Sequence, residues 1–285
     1  MASIGERNAL RVLRESKSGL HLDGEELGEI LLPGRYIPKG TVPGDYLEVF
    51  VHRDSEDRLV ATTEIPRACV GDFAALRVVS LHPTAGAFLD WGLSKDLLLP
   101  IREQAHRVKA GETVVAYVFL DRKSNRIVAT TKLDRHLGAT APEYTEGQRV
   151  ALLIAGETPL GYKAIVENAH HGLLYKTDLG SPLAVGQAVE GYVRAVRPDG
   201  KIDLHLDPEG YGRIAPLTEQ IIEALQKVPS GRLPLGDHST PDEIRAHFNT
   251  SKKAFKQALG ALYRQRSIRL IEGGIEWMPP GEKTR

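Results

Sequence analysis

Cysteine is nearly absent from this chain: Cys69 is the only one in 285 residues. One thiol excludes an internal disulfide and any cysteine-rich zinc site. Long apolar runs are missing as well. No stretch approaches the roughly 18 residues of a membrane helix, and the opening Met1-Ala-Ser-Ile-Gly-Glu-Arg-Asn has no apolar signal core. The expectation is a cytoplasmic protein with no membrane partner. Catalytic signatures are lacking too, with no glycine-rich phosphate loop, no spaced His-Glu-His helix, no nucleophile elbow and no cysteine–histidine arrangement. Carboxylates are plentiful, but the sequence marks none as a pair. No enzyme, cofactor or metal is therefore expected. The pair His170-His171 has no visible third ligand and reads as a loop.

What the chain has is repetition. Arg58-Leu-Val-Ala-Thr-Thr63 returns as Arg126-Ile-Val-Ala-Thr-Thr131 and, more loosely, as Lys201-Ile-Asp-Leu-His-Leu206. Gly44-Asp45 returns as Gly111-Glu112 and Gly186-Gln187, each opening an apolar run such as Tyr46-Leu-Glu-Val-Phe-Val51. Gly19-Leu-His-Leu, Gly86-Ala-Phe-Leu and Gly161-Tyr-Lys-Ala stand in register, 67 and then 75 residues apart. A fixed order of parts at near-constant offset marks an internal repeat. A unit of this size is a small domain, because solenoid repeats run about 20 to 50 residues.

Each unit holds five short runs rich in Val, Ile, Leu, Tyr and Thr, divided by Gly, Pro and Asp. In the second unit these are 73–80, 86–90, 97–101, 113–120 and 126–131. They read as strands, and five strands with no long helix suit a small closed barrel, since closure removes unpaired edges. The expected boundaries are 1–67, 68–140 and 141–212, followed by a different module at 213–285. Short linkers are expected near 66–71, 139–147 and 209–216.

In the last module the period changes. Leu217, Ile221, Ile222, Leu225 and Val228 follow helical spacing, with Thr218 as N-cap and a break at Pro229. Ser239-Thr-Pro-Asp-Glu-Ile244 opens a second short helix, and a third starts at Thr250 or Ser251 with Phe255, Leu259, Leu262 and Tyr263 on one face. Two short strands, 267–271 and 275–278, flank the hairpin turn Glu272-Gly-Gly274. Three helices and a hairpin outline a winged helix.

A net charge of zero, 37 basic against 37 acidic residues, conceals alternation along the chain. The four segments carry 9 basic against 12 acidic, 10 against 7, 6 against 10, and 12 against 8. Between Ile244 and Ile271 there is no acidic residue, while Arg245, Lys252, Lys253, Lys256, Arg264, Arg266 and Arg269 are basic. Such a run suits phosphates beside a recognition helix; it is equally a solvated helix face, and many winged helices bind only protein.

These segments resemble a known family. Gly86-Ala-Phe-Leu-Asp90, Gly111-Glu-Thr-Val, Gly172-Leu-Leu-Tyr175 and Asp121…Arg126-Ile-Val are similar to the strands of S1-type domains of the OB fold. Three such units, then Arg197-Pro-Asp-Gly-Lys-Ile-Asp-Leu204 and Ser251-Lys-Lys-Ala-Phe-Lys-Gln-Ala-Leu-Gly-Ala-Leu-Tyr263, resemble the bacterial conserved virulence factor B family. The resemblance implies a mainly β protein: three tandem S1-like OB barrels and a small α/β winged helix.

It also implies single-stranded RNA as partner, bases stacking on barrel aromatics at about 1–3 kcal/mol each. The family's contact positions fall on Ser18, Ala85 and Leu160; on His21, Phe88 and Lys163; and on Leu31, Leu99 and Tyr175, so no unit has the full set. The expected RNA-binding residues are His21, Phe88, Trp91, Arg102, Arg122, Lys123, Tyr162, Lys163 and Tyr175. In the winged helix they are Lys252, Lys253, Lys256, Arg264, Arg266 and Arg269, with duplex nucleic acid or a protein as alternative partners there. Strand alternation places either Phe88 or the pair Ala87 and Leu89 inward, and Leu89 is the better core residue. Two functions follow: an RNA-binding regulator acting post-transcriptionally, or a winged-helix DNA-binding regulator with the barrels as scaffold. Oligomeric state is not legible.

Overall fold

The computed structural model describes residues 1–179, 181–206 and 214–278, and the linker expected at 209–216 falls largely outside them. Barrel 1 closes from β1 (Arg7–Ser16), β2 (Gly19–Asp23), β3 (Glu29–Pro33), β4 (Tyr46–Arg53) and β5 (Leu59–Thr62) in the order β1-β2-β3-β5-β4. Barrel 2 repeats that order with β6 (Phe73–His82), β7 (Gly86–Asp90), β8 (Leu97–Pro100), β9 (Thr113–Asp121) and β10 (Arg126–Thr130). Barrel 3 does so again with β11 (Arg149–Glu157), β12 (Gly161–Val166), β13 (His170–Tyr175), β14 (Ala188–Val196) and β15 (Ile202–His205). In each, the third and fifth strands pair in parallel, as at Leu31 with Val60 and Leu98 with Val128.

The repeated glycines at 19, 86 and 161 now have a physical reason. A Cβ there would lie 2.0, 2.2 and 1.9 Å from the carbonyl oxygens of Leu32, Leu99 and Leu174 on the neighbouring strand. Only glycine lets the second strand of each barrel approach the third so closely.

Two compact units arise. The first holds barrels 1 and 2, the second the winged helix with most of barrel 3. Strand β4 explains why barrels 1 and 2 are joined. Its Val49 and Val51 point into the barrel 1 core, whereas Phe50, on the other face and 1% exposed, belongs to the apolar cluster of barrel 2. There its ring meets Trp91 edge-on, centroids 5.5 Å apart. The apolar run read as one strand therefore serves two cores.

The last module contains α1 (Ile214–Lys227), β16 (Arg232–Leu233), α2 (Pro241–Phe248), α3 (Lys252–Arg264), β17 (Ile268–Ile271) and β18 (Gly274–Trp277), with sheet order β16-β18-β17. Ile221, Leu225, Ile244, Phe255, Leu259 and Leu262 form its core. Thr240 caps α2 with a reciprocal capping box to Glu243, and Ser251 caps α3. The first helix starts upstream of the expected cap, so Thr218 lies within it. Pro216 does not prevent this, since a proline in the first helical turn loses no intrahelical hydrogen bond.

His170 and His171 lie at the start of β13 rather than in a loop. His170 is buried; its Nε2–H donates to the Thr140 carbonyl at 3.0 Å, and its Nδ1 accepts from the Tyr144 hydroxyl at 2.9 Å. This is a satisfied core histidine. Among the described residues no group of His, Cys, Asp and Glu is placed to hold a metal ion, and no helix is long and apolar enough to cross a membrane.

Candidate nucleic-acid interface

Alternation along β7 sends Ala87 and Leu89 into the barrel, both fully buried, and leaves Phe88 half-buried on the outer face. Cross-strand pairing then identifies one position in all three barrels. His21 faces Leu31, Phe88 faces Leu98, and Lys163 faces Leu173. The strand-three position expected at Leu99 thus belongs to Leu98, because Leu99 points into the core at 0% exposure. In barrel 3 it belongs to Leu173 rather than Tyr175. Each barrel presents a leucine there, and only barrel 2 sets a phenyl ring against it, barrel 1 offering the imidazole of His21 and barrel 3 an ammonium.

Phe88 lies in a cleft of about 230 Å³ between barrels 1 and 2. Phe88, Leu98 and Val128 form its apolar part, while His52 and Arg53 of barrel 1 and Lys95, Asp96 and Arg126 of barrel 2 supply polar groups. The barrels are cross-tied at this cleft. Arg126 holds Asp57 through Nε at 2.8 Å and Nη2 at 2.6 Å, Arg53 Nε donates to the Asn125 carbonyl at 3.2 Å, and Lys95 Nζ donates to the Arg53 and Asp54 carbonyls. Asp57 and Asn125 are equivalent hairpin residues, both with positive φ, a conformation these side chains tolerate. Burial lowers the Lys95 ammonium below its ordinary range.

Two expected aromatic contacts are corrected. Trp91 is 3% exposed, packed on Phe50, with Nε1 donating to the Lys95 carbonyl at 2.6 Å. Tyr162 is 5% exposed, on the inward face of β12, with Lys176 Nζ 5.9 Å from its ring centre. Neither offers a free ring face.

The remaining barrel residues divide by what holds them. Arg14 Nη2 donates to His21 Nδ1 at 3.1 Å and to Glu29 at 2.6 Å, so the imidazole is tied into an ion pair. Tyr175 donates to Asp203 at 3.1 Å and accepts from Arg197, which is itself paired with Asp203. Arg102 is exposed, with Nη2 3.6 Å from Asp121. Arg122 and Lys123 extend from the β9–β10 turn into solvent, as does Lys163 from β12.

In the winged helix much of the basic run is already engaged. Lys253 lies 3.5 Å from Asp178 of barrel 3, which Arg194 also holds at 2.6 Å. Burial pushes the Asp178 carboxyl up, but Arg194 and Lys253 outweigh it and hold it below the usual carboxylate range. Lys256 lies 3.5 Å from Asp237, and Arg269 shares Glu276 with Arg232. Lys252 is half-buried at the start of α3. Arg264 and Arg266 are exposed, without an ion-pair partner among the described residues.

Sequence reasoning missed His52, Lys95, Asp96 and Arg126. Arg126 opens a repeated strand motif and reads as pattern, and no local signal tells that barrel 1 lies against it.

The S1 domain family matches residues 4–64 and 70–132, the first two barrels, and the CvfB-like winged helix domain matches residues 219–276. The chain is 27% identical over 272 residues to the uncharacterized protein YitL of Bacillus subtilis, covering 93% of this chain and 90% of that one. It is 25% identical to conserved virulence factor B of Staphylococcus epidermidis, covering 81% and 80%. A crystal structure of a multidomain protein with nucleic acid binding domains from Streptococcus pneumoniae aligns at 22% identity and TM-score 0.41, covering 96% and 98%.

Proposed function

We propose, from its S1 domains, its CvfB-like winged helix and its similarity to conserved virulence factor B of Staphylococcus epidermidis, that this chain is a member of that family and a cytoplasmic RNA-binding regulator. It holds single-stranded RNA on its barrels and acts post-transcriptionally. The four modules follow the boundaries 1–67, 68–140, 141–212 and 213–285.

The observation that carries this reading is Phe88. Its ring is turned outward on the barrel face where S1 domains stack bases, in a cleft rimmed by Lys95 and Arg126. Such a ring stacks any base, and the exposed Arg122 and Lys123 of the β9–β10 turn in the same barrel are placed to neutralise phosphates. Barrels 1 and 3 lack the ring, so their His21 and Lys163 act as weaker contacts along the same strand. Linked weak sites gain through effective concentration. A DNA-reading winged helix has less support, since Lys253 and Lys256 of α3 are engaged by carboxylates of the same chain.

The test is fluorescence anisotropy of the full chain with labelled single-stranded RNA and duplex DNA of equal length over a salt series. Tighter binding to RNA, weakened about 5- to 150-fold by Phe88→Ala, is expected from the energy of one stacked base. A preference for duplex DNA, lost only when Lys252, Lys253 and Lys256 are changed to alanine, overturns the reading.

A further inference from the structure

The cleft between barrels 1 and 2 contains more than a stacking ring. We propose that it is a base-selective pocket, built jointly by the two barrels, that takes a single guanine base of the bound strand. The inference rests on the reading of barrel 2 as an RNA site and goes beyond it, because stacking alone does not discriminate among bases.

Phe88 with Leu98 supplies an apolar floor, and the volume, about 230 Å³, suits one small planar ligand and no folded element. Two groups at its wall are acceptors. The first is His52. Its Nδ1 lies 3.2 Å from the Arg53 carbonyl, which can only accept, so Nδ1 carries the proton and Nε2 keeps its lone pair. Burial moves this imidazole below its ordinary range, which keeps it neutral and Nε2 an acceptor. The second is the carboxylate of Asp96, which has no hydrogen bond or ion pair among the described residues. It is solvent-exposed at the cleft rim, and partial burial, then the charge of Asp90, pushes its carboxyl above the ordinary range.

Acceptors at the wall call for donors on the ligand. Guanine presents two adjacent donors, N1–H and the N2 amine, spaced for the two oxygens of a carboxylate. Adenine and cytosine offer an amine beside an acceptor, and uracil offers one N–H between two carbonyls. Asp96 is held in place indirectly, since Trp91 Nε1 binds the carbonyl of the preceding residue, Lys95. Neither His52 nor Asp96 appears among the contacts that the S1 resemblance implies. The pocket needs barrel 1, which contributes His52, as much as barrel 2.

The test uses the full chain and oligouridine RNA carrying one central guanosine, inosine, adenosine or uridine, read by anisotropy. Guanosine should bind about tenfold or more tighter than inosine, which lacks only the N2 amine, given the discrimination of a bidentate base contact. Asp96→Asn should abolish that preference and His52→Gln reduce it, with thermal melting confirming that both variants fold. Phe88→Ala should weaken all four oligonucleotides alike. If the four bind equally while Phe88→Ala still weakens them, the pocket is not base-selective and RNA binding by barrel 2 stands. Guanosine preference unchanged in Asp96→Asn also overturns the pocket. If Phe88→Ala changes nothing for any oligonucleotide, both readings fall.

Discussion

Arg126 of barrel 2 grips Asp57 of barrel 1 with two parallel hydrogen bonds, Nε to Oδ1 at 2.8 Å and Nη2 to Oδ2 at 2.6 Å. The pair joins the tips of equivalent hairpins beside the cleft that holds Phe88. Its hydrogen bond to Arg126 lowers the Asp57 carboxyl below its ordinary range. A carboxylate depressed on folding contributes above its unfolded value near pH 4 and loses that contribution as pH falls through the folded value. The tie is therefore intact wherever binding is measured near neutrality.

Breaking this tie should alter binding more than stability, since exposed ion pairs contribute little to folding. Asp57→Asn frees the Arg126 guanidinium for a phosphate. The expected result is a salt dependence of RNA binding steeper by about 0.7 in the log–log slope, one added phosphate contact. Faster hydrogen exchange in the β4–β5 hairpin, with β7 and β8 unchanged, should accompany it. An unchanged slope would place Arg126 outside the path of the strand.

Trp91 makes a different prediction because it is buried against Phe50. Trp91→Ala removes a large ring from a core shared by two barrels and should cost about 3–5 kcal/mol in urea unfolding. Trp91→Phe keeps the edge-on contact and should cost less. If Trp91→Ala melts like the parent chain, the two barrels do not share a core.

The strands, their order of appearance and the winged helix were legible because each rests on local pattern. Alternation, glycine placement and caps such as Thr240 are written within a few residues of where they act. What the sequence concealed depends on partners far along the chain. Trp91 reads as an exposed aromatic until Phe50, 41 residues earlier, is seen to cover it. Leu98 and Leu99 are adjacent leucines, and only pairing with Phe88 tells which one faces out. Strand β16 is two residues long, too short to show any period. The cleft residues His52, Asp96 and Arg126 share no motif, and the packing of one barrel on another is what brings them together.

Asp178 ties barrel 3 to the winged helix, with Arg194 on one side and Lys253 on the other. Burial raises its carboxyl, and the hydrogen bond from Arg194 with the charges of Arg194 and Lys253 lowers it further than burial raises it. The net depression means that its stabilising contribution is full above about pH 4, the unfolded value, and is lost as pH falls through the folded one. Thermal unfolding from pH 3 to pH 7 should show a wild-type advantage over Asp178→Asn at pH 5–7 that fades toward pH 3. A difference constant across that range would remove the carboxylate's charge from the account.

Among the cations of the winged helix, pairing separates those available to a polyanion from those already engaged. Lys253, Lys256 and Arg269 each face a carboxylate of the same chain, whereas Arg264 and Arg266, at the end of α3 and just after it, face solvent. An engaged cation that meets a phosphate must first give up its carboxylate, so its net gain is small; a free one releases counterions outright. Changing Arg264 and Arg266 together to alanine should therefore lower the salt slope for single-stranded RNA by about 1.4, two contacts at about 0.7 each. Changing Lys253 and Lys256 should lower it by less. The reverse ranking would mean that α3 leaves Asp178 and Asp237 when nucleic acid binds, and that the winged helix meets the strand with the face that barrel 3 covers.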